Sequence, residues 1–208
     1  MKKAVLKLCL ALILALSFAS KSYGAPPSWI RFSFEWGYSQ MFFRSYHFNY
    51  ISDDGYRVDG KSSGFELWSN GFASGKLSLA LSERLSIGLV SGYRGSWEEN
   101  RMVPLMVEFN YYSRGYWSDC FFGEIGAGVG FQEKKSRGGE EPAVLSRLGG
   151  GYHYVLGGPF SLDFKVALSS VFESPRIPSP TEGYIEMHNV RQSRATHCAL
   201  EFSLSLNF

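Results

Sequence analysis

The sequence predicts an all-β protein: one eight-stranded antiparallel transmembrane β-barrel in meander order, with short periplasmic turns and longer extracellular loops. Three observations support this fold class. Apolar and polar residues alternate in eight separate segments, the even strand number suits a bacterial membrane barrel, and the connections alternate between short and long. After the first 24 residues, no stretch holds the roughly 18 consecutive apolar residues of a membrane-spanning helix.

The first 24 residues are typical of a secretory signal peptide. Three lysines near the start precede an apolar run at residues 8–19, and the small residues Ser22 and Gly24 precede a predicted cleavage site. We therefore predict a mature domain at residues 25–208. Removing the signal leaves 17 basic and 19 acidic residues, so the formal net charge changes from +2 to −2. This balance gives no argument for a nucleic-acid partner.

The first predicted strand sets the pattern for the others. From Ile30 to Tyr38 every even residue is apolar or aromatic, whereas the odd residues are polar or small. The other seven apolar faces are Leu77, Leu79 and Leu81; Leu85, Ile87 and Leu89; the odd residues from Val103 to Tyr111; Phe121, Ile125, Val129 and Phe131; Leu148, Tyr152, Tyr154 and Leu156; the even residues from Phe160 to Leu168; and the even residues from Leu200 to Phe208.

The second strand departs from this pattern. Phe72 and Leu77 have opposite parity, so residues 64–76 require either a bulge or an inward-facing Phe72. The boundaries of this strand are therefore the least defined by the pattern.

Loop lengths decide between a membrane barrel and a soluble sandwich. The connections at 82–84, 113–119 and 157–159 are short, and they alternate with longer polar connections at 40–64, 94–101, 132–143 and 173–195. With both chain ends in the periplasm, every short turn lies on the periplasmic side and every long loop is extracellular. A soluble fold has no reason to sort its loops in this way.

The polar face carries charges of both signs. Because an eight-stranded barrel is only wide enough to be filled by its own side chains, these charges are predicted to pair inside it. A structural ion network is favoured over a gate, and a general diffusion porin is disfavoured. The predicted network comprises Arg31, Glu35, Lys76, Glu108, Glu124, Arg147, Asp163, Lys165 and Glu201.

The whole mature chain is similar to the small eight-stranded outer-membrane barrels of the OmpA and OmpX type. The most specific element is the C-terminal segment, residues 200–208, which alternates and ends in an aromatic residue. The resemblance implies a bacterial outer-membrane location, contact with outer-membrane lipid and recognition by the barrel-assembly machinery. It implies no activity and no cofactor. The residues of the assembly signal are Phe202, Leu204, Leu206 and Phe208.

The first long loop is rich in aromatic residues. Phe42, Tyr46, Phe48 and Tyr50 continue the parity of the first strand, and Asp53-Asp54-Gly55 resembles a hairpin turn. An aromatic hairpin above the membrane is either a candidate surface contact or an interfacial belt or lid over the barrel mouth. Asp53, Asp54 and Asp59 lack the spacing of a calcium site and are explained by turn chemistry.

An enzymatic role has weak support. Small outer-membrane barrels include lipid A acyl hydrolases, and His188 with Glu201 resembles part of their catalytic set. Val190 stands where that resemblance requires a serine, so the nucleophile is missing. We predict no catalytic residue, cofactor or metal, since His47 and His153 lack metal-ligand spacing.

The two cysteines of the mature chain are predicted to be unpaired. Cys120 and Cys198 map to opposite ends of the barrel, too far apart for a disulfide.

The function that the sequence favours is a non-enzymatic envelope protein. Its role is structural, or it contacts an envelope protein or a surface ligand through residues 40–64 and 173–195. One alternative is a lipid hydrolase using His188 and Glu201. The other is an accessory barrel of a larger secretion or uptake complex.

Overall fold

The computed structural model describes residues 29–52, 54–95, 101–132, 141–179 and 183–208. The predicted signal peptide lies outside these residues. Among them no helix is long and apolar enough to cross a membrane. The strands are β1 (Ile30–Ile51), β2 (Arg57–Gly64), β3 (Trp68–Ala80), β4 (Leu85–Gly95), β5 (Arg101–Tyr112), β6 (Cys120–Gln132), β7 (Ala143–Gly157), β8 (Phe160–Glu173) and β9 (Val190–Asn207), with a 3₁₀ turn at Met187–Asn189.

The strands close into an antiparallel barrel. Each strand from β3 to β9 pairs with its neighbour in the chain, and β1 pairs with both β3 and β9, so β1 and β3–β9 form a ring of eight. Strand β2 pairs only with the outer part of β1, residues 44–51. The predicted all-β, eight-stranded meander barrel is therefore confirmed. Closure removes the sheet edges, which lets every strand satisfy its backbone groups inside a membrane.

The two faces of the wall have opposite chemistry. Outward side chains are apolar and largely exposed, as for Leu77 (52% exposed) and Phe164 (50%). Inward side chains are mostly polar and buried, including Glu108, Lys165 and Glu201. The apolar face thus points away from the barrel axis, as lipid contact requires.

Phe72 points inward without a bulge. The β1–β3 register is continuous, and Phe72 pairs with Gly37 on the inner face, where it is buried. A Cβ added at Gly37 would lie 2.7 Å from Cζ of Phe72, so the absence of a side chain at position 37 provides the space for the ring. Of the two predicted solutions to the parity conflict, the inward Phe72 is the observed one.

Two predicted long loops are partly strands. Strand β1 extends to Ile51 and pairs with β2, so residues 44–64 form a hairpin, which we call the outer hairpin. Strand β9 begins at Val190, which shortens the last connection to residues 174–189, the β8–β9 loop. Most of the loops predicted at 94–101 and 132–143 lies outside the described residues.

Strand β1 contains a bulge at Phe42. Met41 pairs with Ala199 and Phe43 pairs with Cys198, so Phe42 has no partner in β9. A one-residue insertion exchanges the inward and outward faces of the strand beyond it.

The parity prediction for the outer hairpin is therefore wrong. Tyr46 pairs with Ala195 and Phe48 with Ser193. Because opposite residues share a face and Ala195 is buried, both rings lie on the inner side, whereas His47 lies on the outer side. The residues predicted to continue the outward parity were Phe42, Tyr46, Phe48 and Tyr50; Tyr50 shares the hairpin face of Phe48 through its pairing with Val58.

Candidate functional site

The barrel interior is filled in three layers. An aromatic floor lies at the periplasmic end, an ionic layer at mid-height, and an apolar layer nearer the extracellular end. This order follows strand β5, whose inward residues run from Met102 and Met106 through Glu108 to Tyr112. The side chains that form each layer are buried.

Arg147 is the centre of the ionic layer. Its Nη2 lies 2.5 Å from Oε1 of Glu35, and its Nη1 lies 3.6 Å from Oε2 of Glu108. Its Nε lies 3.3 Å from Glu124 and 3.2 Å from Glu201, at angles that make ion-pair contacts without hydrogen bonds. One guanidinium thus faces four carboxylates, and further cations are needed for balance.

Three other cations surround this centre. Lys165 contacts Glu35 at 3.1 Å and Glu124 at 3.0 Å, and Lys76 contacts Glu108 at 2.5 Å. Arg94 faces the remaining carboxylate, Glu201, with Nη–Oε distances of 2.6 and 3.0 Å. Four carboxylates and four cations therefore meet in one buried, formally neutral layer.

Arg94 was missed by sequence reasoning. It lies at the outer end of β4, inside the region that the sequence assigned to a polar loop, 94–101. Its even parity within β4, shared with the buried Ser86 and Val90, is the signal that could have placed it inward. Its guanidinium carbon also lies 5.2 Å from the ring centre of Phe72.

Two members of the predicted network lie elsewhere. Arg31 is placed over the ring of Tyr116, 3.5 Å from its centroid, and Asp163 accepts from His153 at 2.5 Å. Both belong to the aromatic floor, which sequence reasoning did not identify. Tyr116 comes from the turn between β5 and β6 and is buried, and the floor cluster also contains Tyr112, Cys120 and Phe122.

Apolar side chains close the interior above the ionic layer. Met102, Met106 and Leu145 occupy inward positions that are polar lower in the same strands. They form one cluster with Val90, Ala143 and Val171. The pattern that would have revealed them is the presence of apolar residues on both faces at the outer ends of these strands.

The extracellular end has a cavity of about 570 Å³, formed by the β8–β9 loop and the start of β9. A backbone bond from Ile185 N to Ile177 O (2.8 Å) closes the loop on itself, and Ser193 Oγ donates to Pro175 O. The side chains of Ile177 and Ile185 are buried. The lining includes Arg176, Ile177, Tyr184, Ile185, Arg191 and Ser193.

Residues of the hydrolase alternative lie in different environments. His188 is exposed in the β8–β9 loop, with Nδ1 3.3 Å from Glu186. Glu201 is fully buried and faces Arg94 and Arg147. The cysteines behave as predicted: Cys120 and Cys198 are both free, one in the floor and one near the extracellular end.

The comparisons with known proteins support the fold. No protein-family model and no curated protein matches the chain. The barrel is similar to the outer membrane protein OprG from Pseudomonas aeruginosa, with a TM-score of 0.51 and 12% identity over 86% of this chain and 95% of OprG. A weaker likeness is to the outer membrane protein AlkL, with a TM-score of 0.45 and 12% identity over 90% of this chain and 94% of AlkL. Another is to the outer membrane protease OmpT from Escherichia coli, with a TM-score of 0.37 and 10% identity over 90% of this chain and 99% of OmpT. At these identities the likeness to OprG shows a shared fold.

Proposed function

We propose that this chain is a non-enzymatic and non-conducting barrel of the bacterial outer membrane that binds a surface ligand or envelope partner through its extracellular end. The observation that carries the proposal is that side chains fill the described interior of the barrel. Because the lumen is filled, the extracellular end is the surface that can contact other molecules.

The proposal that the barrel does not conduct is supported by the layers inside it. Eight strands enclose a space that side chains can fill, and here ionic, aromatic and apolar layers follow one another along the axis. An ion would have to separate paired buried charges and then pass the methionines of the apolar layer, and both steps are costly.

The contact role is supported by the cavity at the β8–β9 loop. Its volume of about 570 Å³ is within the range of small-molecule sites, and its lining combines buried isoleucines with arginine, serine and tyrosine. Apolar walls with a few polar groups can hold a ligand and fix its orientation. Three arginines and two glutamates line the cavity, namely Arg176, Arg191, Arg194, Glu141 and Glu186, so its formal charge is +1. This excess of arginine favours a ligand that carries negative charge or many hydroxyl acceptors.

Conductance measurements test the first half of the proposal. The purified barrel, folded in detergent and inserted into a planar lipid bilayer, is expected to show no discrete conductance steps. Frequent steps of uniform size from the unaltered protein would contradict the filled-lumen interpretation.

Array binding tests the second half. The detergent-folded barrel is applied to glycan and peptide arrays beside Arg191→Glu and Tyr184→Ala variants. Binding that these changes reduce about tenfold or more, and that the matched change Arg114→Glu in the periplasmic turn leaves intact, supports the cavity as the contact site. Binding that is equal in all four proteins would reject it.

The enzyme and accessory-subunit alternatives stay as predictions. Fatty-acid release from outer-membrane lipid, measured by mass spectrometry and lost in His188→Ala, would overturn the non-enzymatic proposal. Capture of a stoichiometric partner by cross-linking in cells would favour an accessory subunit.

A further inference from the structure

The outer face of the barrel changes from apolar to basic just beyond the bulge at Phe42. Along β9, outward residues run from Leu200 through Cys198 and Thr196 to Arg194. The apolar part of this file faces lipid. Arg194 is four residues beyond Cys198, about 13 Å along the strand at ordinary strand rise. That height matches the headgroup zone of the outer leaflet.

Three basic side chains form a row at this height. His47 of β1 pairs directly with Arg194 of β9 on one side and with Lys61 of β2 on the other. Since directly opposite residues share a face with Cβ atoms about 5 Å apart, the row covers roughly 10 Å of the outer wall. Arg194 and Lys61 are exposed.

The surrounding charges leave the row positive. Asp59 is the acidic neighbour, and its carboxylate contacts His47 Nε2 at 2.9 Å and accepts from Asn49 at 3.1 Å. Arg57 also lies on this face and donates to Asn49 at 3.2 Å. No described carboxylate forms an ion pair with Arg194 or Lys61.

We propose that Arg194, His47 and Lys61 bind the phosphate of a phosphorylated glycolipid of the outer leaflet. Arginine offers paired N–H donors and lysine a mobile point charge, which together suit a phosphate monoester. The apolar files below the row, at Cys198, Leu200 and Phe43, lie where acyl chains attached to such a headgroup would pack. A lipid therefore fits this wall better than a free anion.

Arg194 also lines the cavity at the β8–β9 loop, whereas His47 and Lys61 do not, so Lys61→Ala alone distinguishes lipid binding from the contact role of the cavity. Bisphosphorylated hexa-acyl lipid A is added to the detergent-folded barrel, and retained lipid is measured by native mass spectrometry. The wild-type protein is expected to retain the lipid, and Arg194→Ala/Lys61→Ala to bind it at least tenfold more weakly. Arg194→Lys keeps the positive charge and should therefore bind the lipid more tightly than Arg194→Ala/Lys61→Ala.

The controls separate lipid binding from other causes. The double change Arg84→Ala/Arg114→Ala removes two exposed arginines from periplasmic turns and should leave retention unchanged. Lipid A stripped of its phosphates should bind the wild-type and the double variant equally weakly. Equal retention of intact lipid A by the wild-type and Arg194→Ala/Lys61→Ala, or displacement of that lipid by millimolar inorganic phosphate, would overturn the proposal.

Discussion

Arg147 makes the barrel interior dependent on a single cation. Its guanidinium is buried and lies within ion-pair distance of Glu35, Glu108, Glu124 and Glu201. Buried carboxylates are tolerated only while their charge is compensated, because the surrounding medium cannot solvate them as water does. Loss of this one residue therefore affects four others.

We expect Arg147→Met to destabilise the folded barrel by about 3–5 kcal/mol, the range found when one partner of a buried ion pair is removed. The measurement is the urea midpoint for unfolding in detergent micelles, followed by tryptophan fluorescence and by heat-dependent gel mobility. Arg114→Met in the exposed periplasmic turn is the matched control and should leave the midpoint unchanged.

A second variant separates charge from volume. Arg147→Met/Glu35→Gln removes one cation and one anion, so part of the lost stability should return. If the double variant is as unstable as Arg147→Met, or if Arg147→Met unfolds like the wild-type, the ion network does not stabilise the barrel in the way described.

Gly37 is constrained by its neighbours on the inner face. A Cβ there would lie 2.5 Å from Phe202 O, 2.6 Å from Ser203 Cβ and 2.7 Å from Phe72 Cζ. We expect Gly37→Ala to destabilise the barrel by about 1–3 kcal/mol, because added volume in a packed interior displaces its neighbours. Gly60→Ala in β2, where nothing lies within 4 Å, is the control. Equal unfolding midpoints for the two variants would show that the site relaxes freely.

Among the elements, β1 carries two environments in one strand. Before Phe42 most of its outward residues are aromatic, which suits lipid contact. Beyond Phe42 the outward residues run from Phe43 to Ser45 and His47, while Tyr46 and Phe48 face inward. The bulge makes this exchange possible within a continuous strand, since insertion of one residue reverses the faces. The lipid-facing wall in β1 therefore ends just beyond the bulge, after Phe43.

Cysteine labelling checks the face reversal. In a background with Cys120→Ser and Cys198→Ser, we expect His47→Cys to react with a bulky, membrane-impermeant maleimide on intact cells faster than Tyr46→Cys. Deleting Phe42 should preserve this order, because it removes the extra residue and leaves Phe43 paired with Cys198. An order that inverts when Phe42 is deleted would contradict the assigned register.

The outer hairpin is expected to loosen at low pH. A hydrogen bond from His47 lowers the pKa of Asp59 below its ordinary value of 3.8, and the charges of Lys61 and Arg57 act in the same direction. Because the folded pKa is below the unfolded pKa, this stabilisation is complete above pH 3.8 and is lost as pH falls through the folded pKa. Amide hydrogen exchange of residues 44–64, corrected for its intrinsic pH dependence, measures the effect. Asp59→Asn should remove this pH dependence, and a wild-type hairpin equally protected from pH 6 to pH 2 would contradict it.

At the scale of the whole molecule, Phe208 closes the ring. Phe208 forms two backbone hydrogen bonds with Phe32, each 2.9 Å long, and their rings lie 5.1 Å apart. The predicted assembly signal and the last pairing of the β1–β9 seam therefore share one residue.

We expect Phe208→Ala to reduce the amount of folded barrel in cells several-fold while purified, urea-unfolded protein still folds into detergent micelles. The backbone bonds to Phe32 do not need the ring, whereas recognition by the assembly machinery is predicted to need it. Heat-dependent gel mobility reports folding in both settings. Equal loss in cells and in micelles would assign the ring a purely structural role, and no loss in either would remove the residue from the predicted signal.

The sequence by itself determined the barrel, its strand order and the side of the wall on which most residues lie. Side chains in a strand alternate with a period of two, so the residues between outward apolar positions must point inward. Glu35, Glu108 and Lys165 are examples of such inward residues. Loop lengths added the orientation of the predicted turns. These are local properties of the chain, which is why they could be inferred before the structure.

Only the tertiary structure decided which charges meet and where parity reverses. Arg94 completes the ionic layer from across the barrel, 107 residues from Glu201, and no local pattern encodes that distance. The bulge at Phe42 is visible only once β9 pairs with β1, and its effect is to turn Tyr46 and Phe48 inward and His47 outward. Pairing across a closed ring is a non-local property, because the partner of each residue depends on the register of every strand between them.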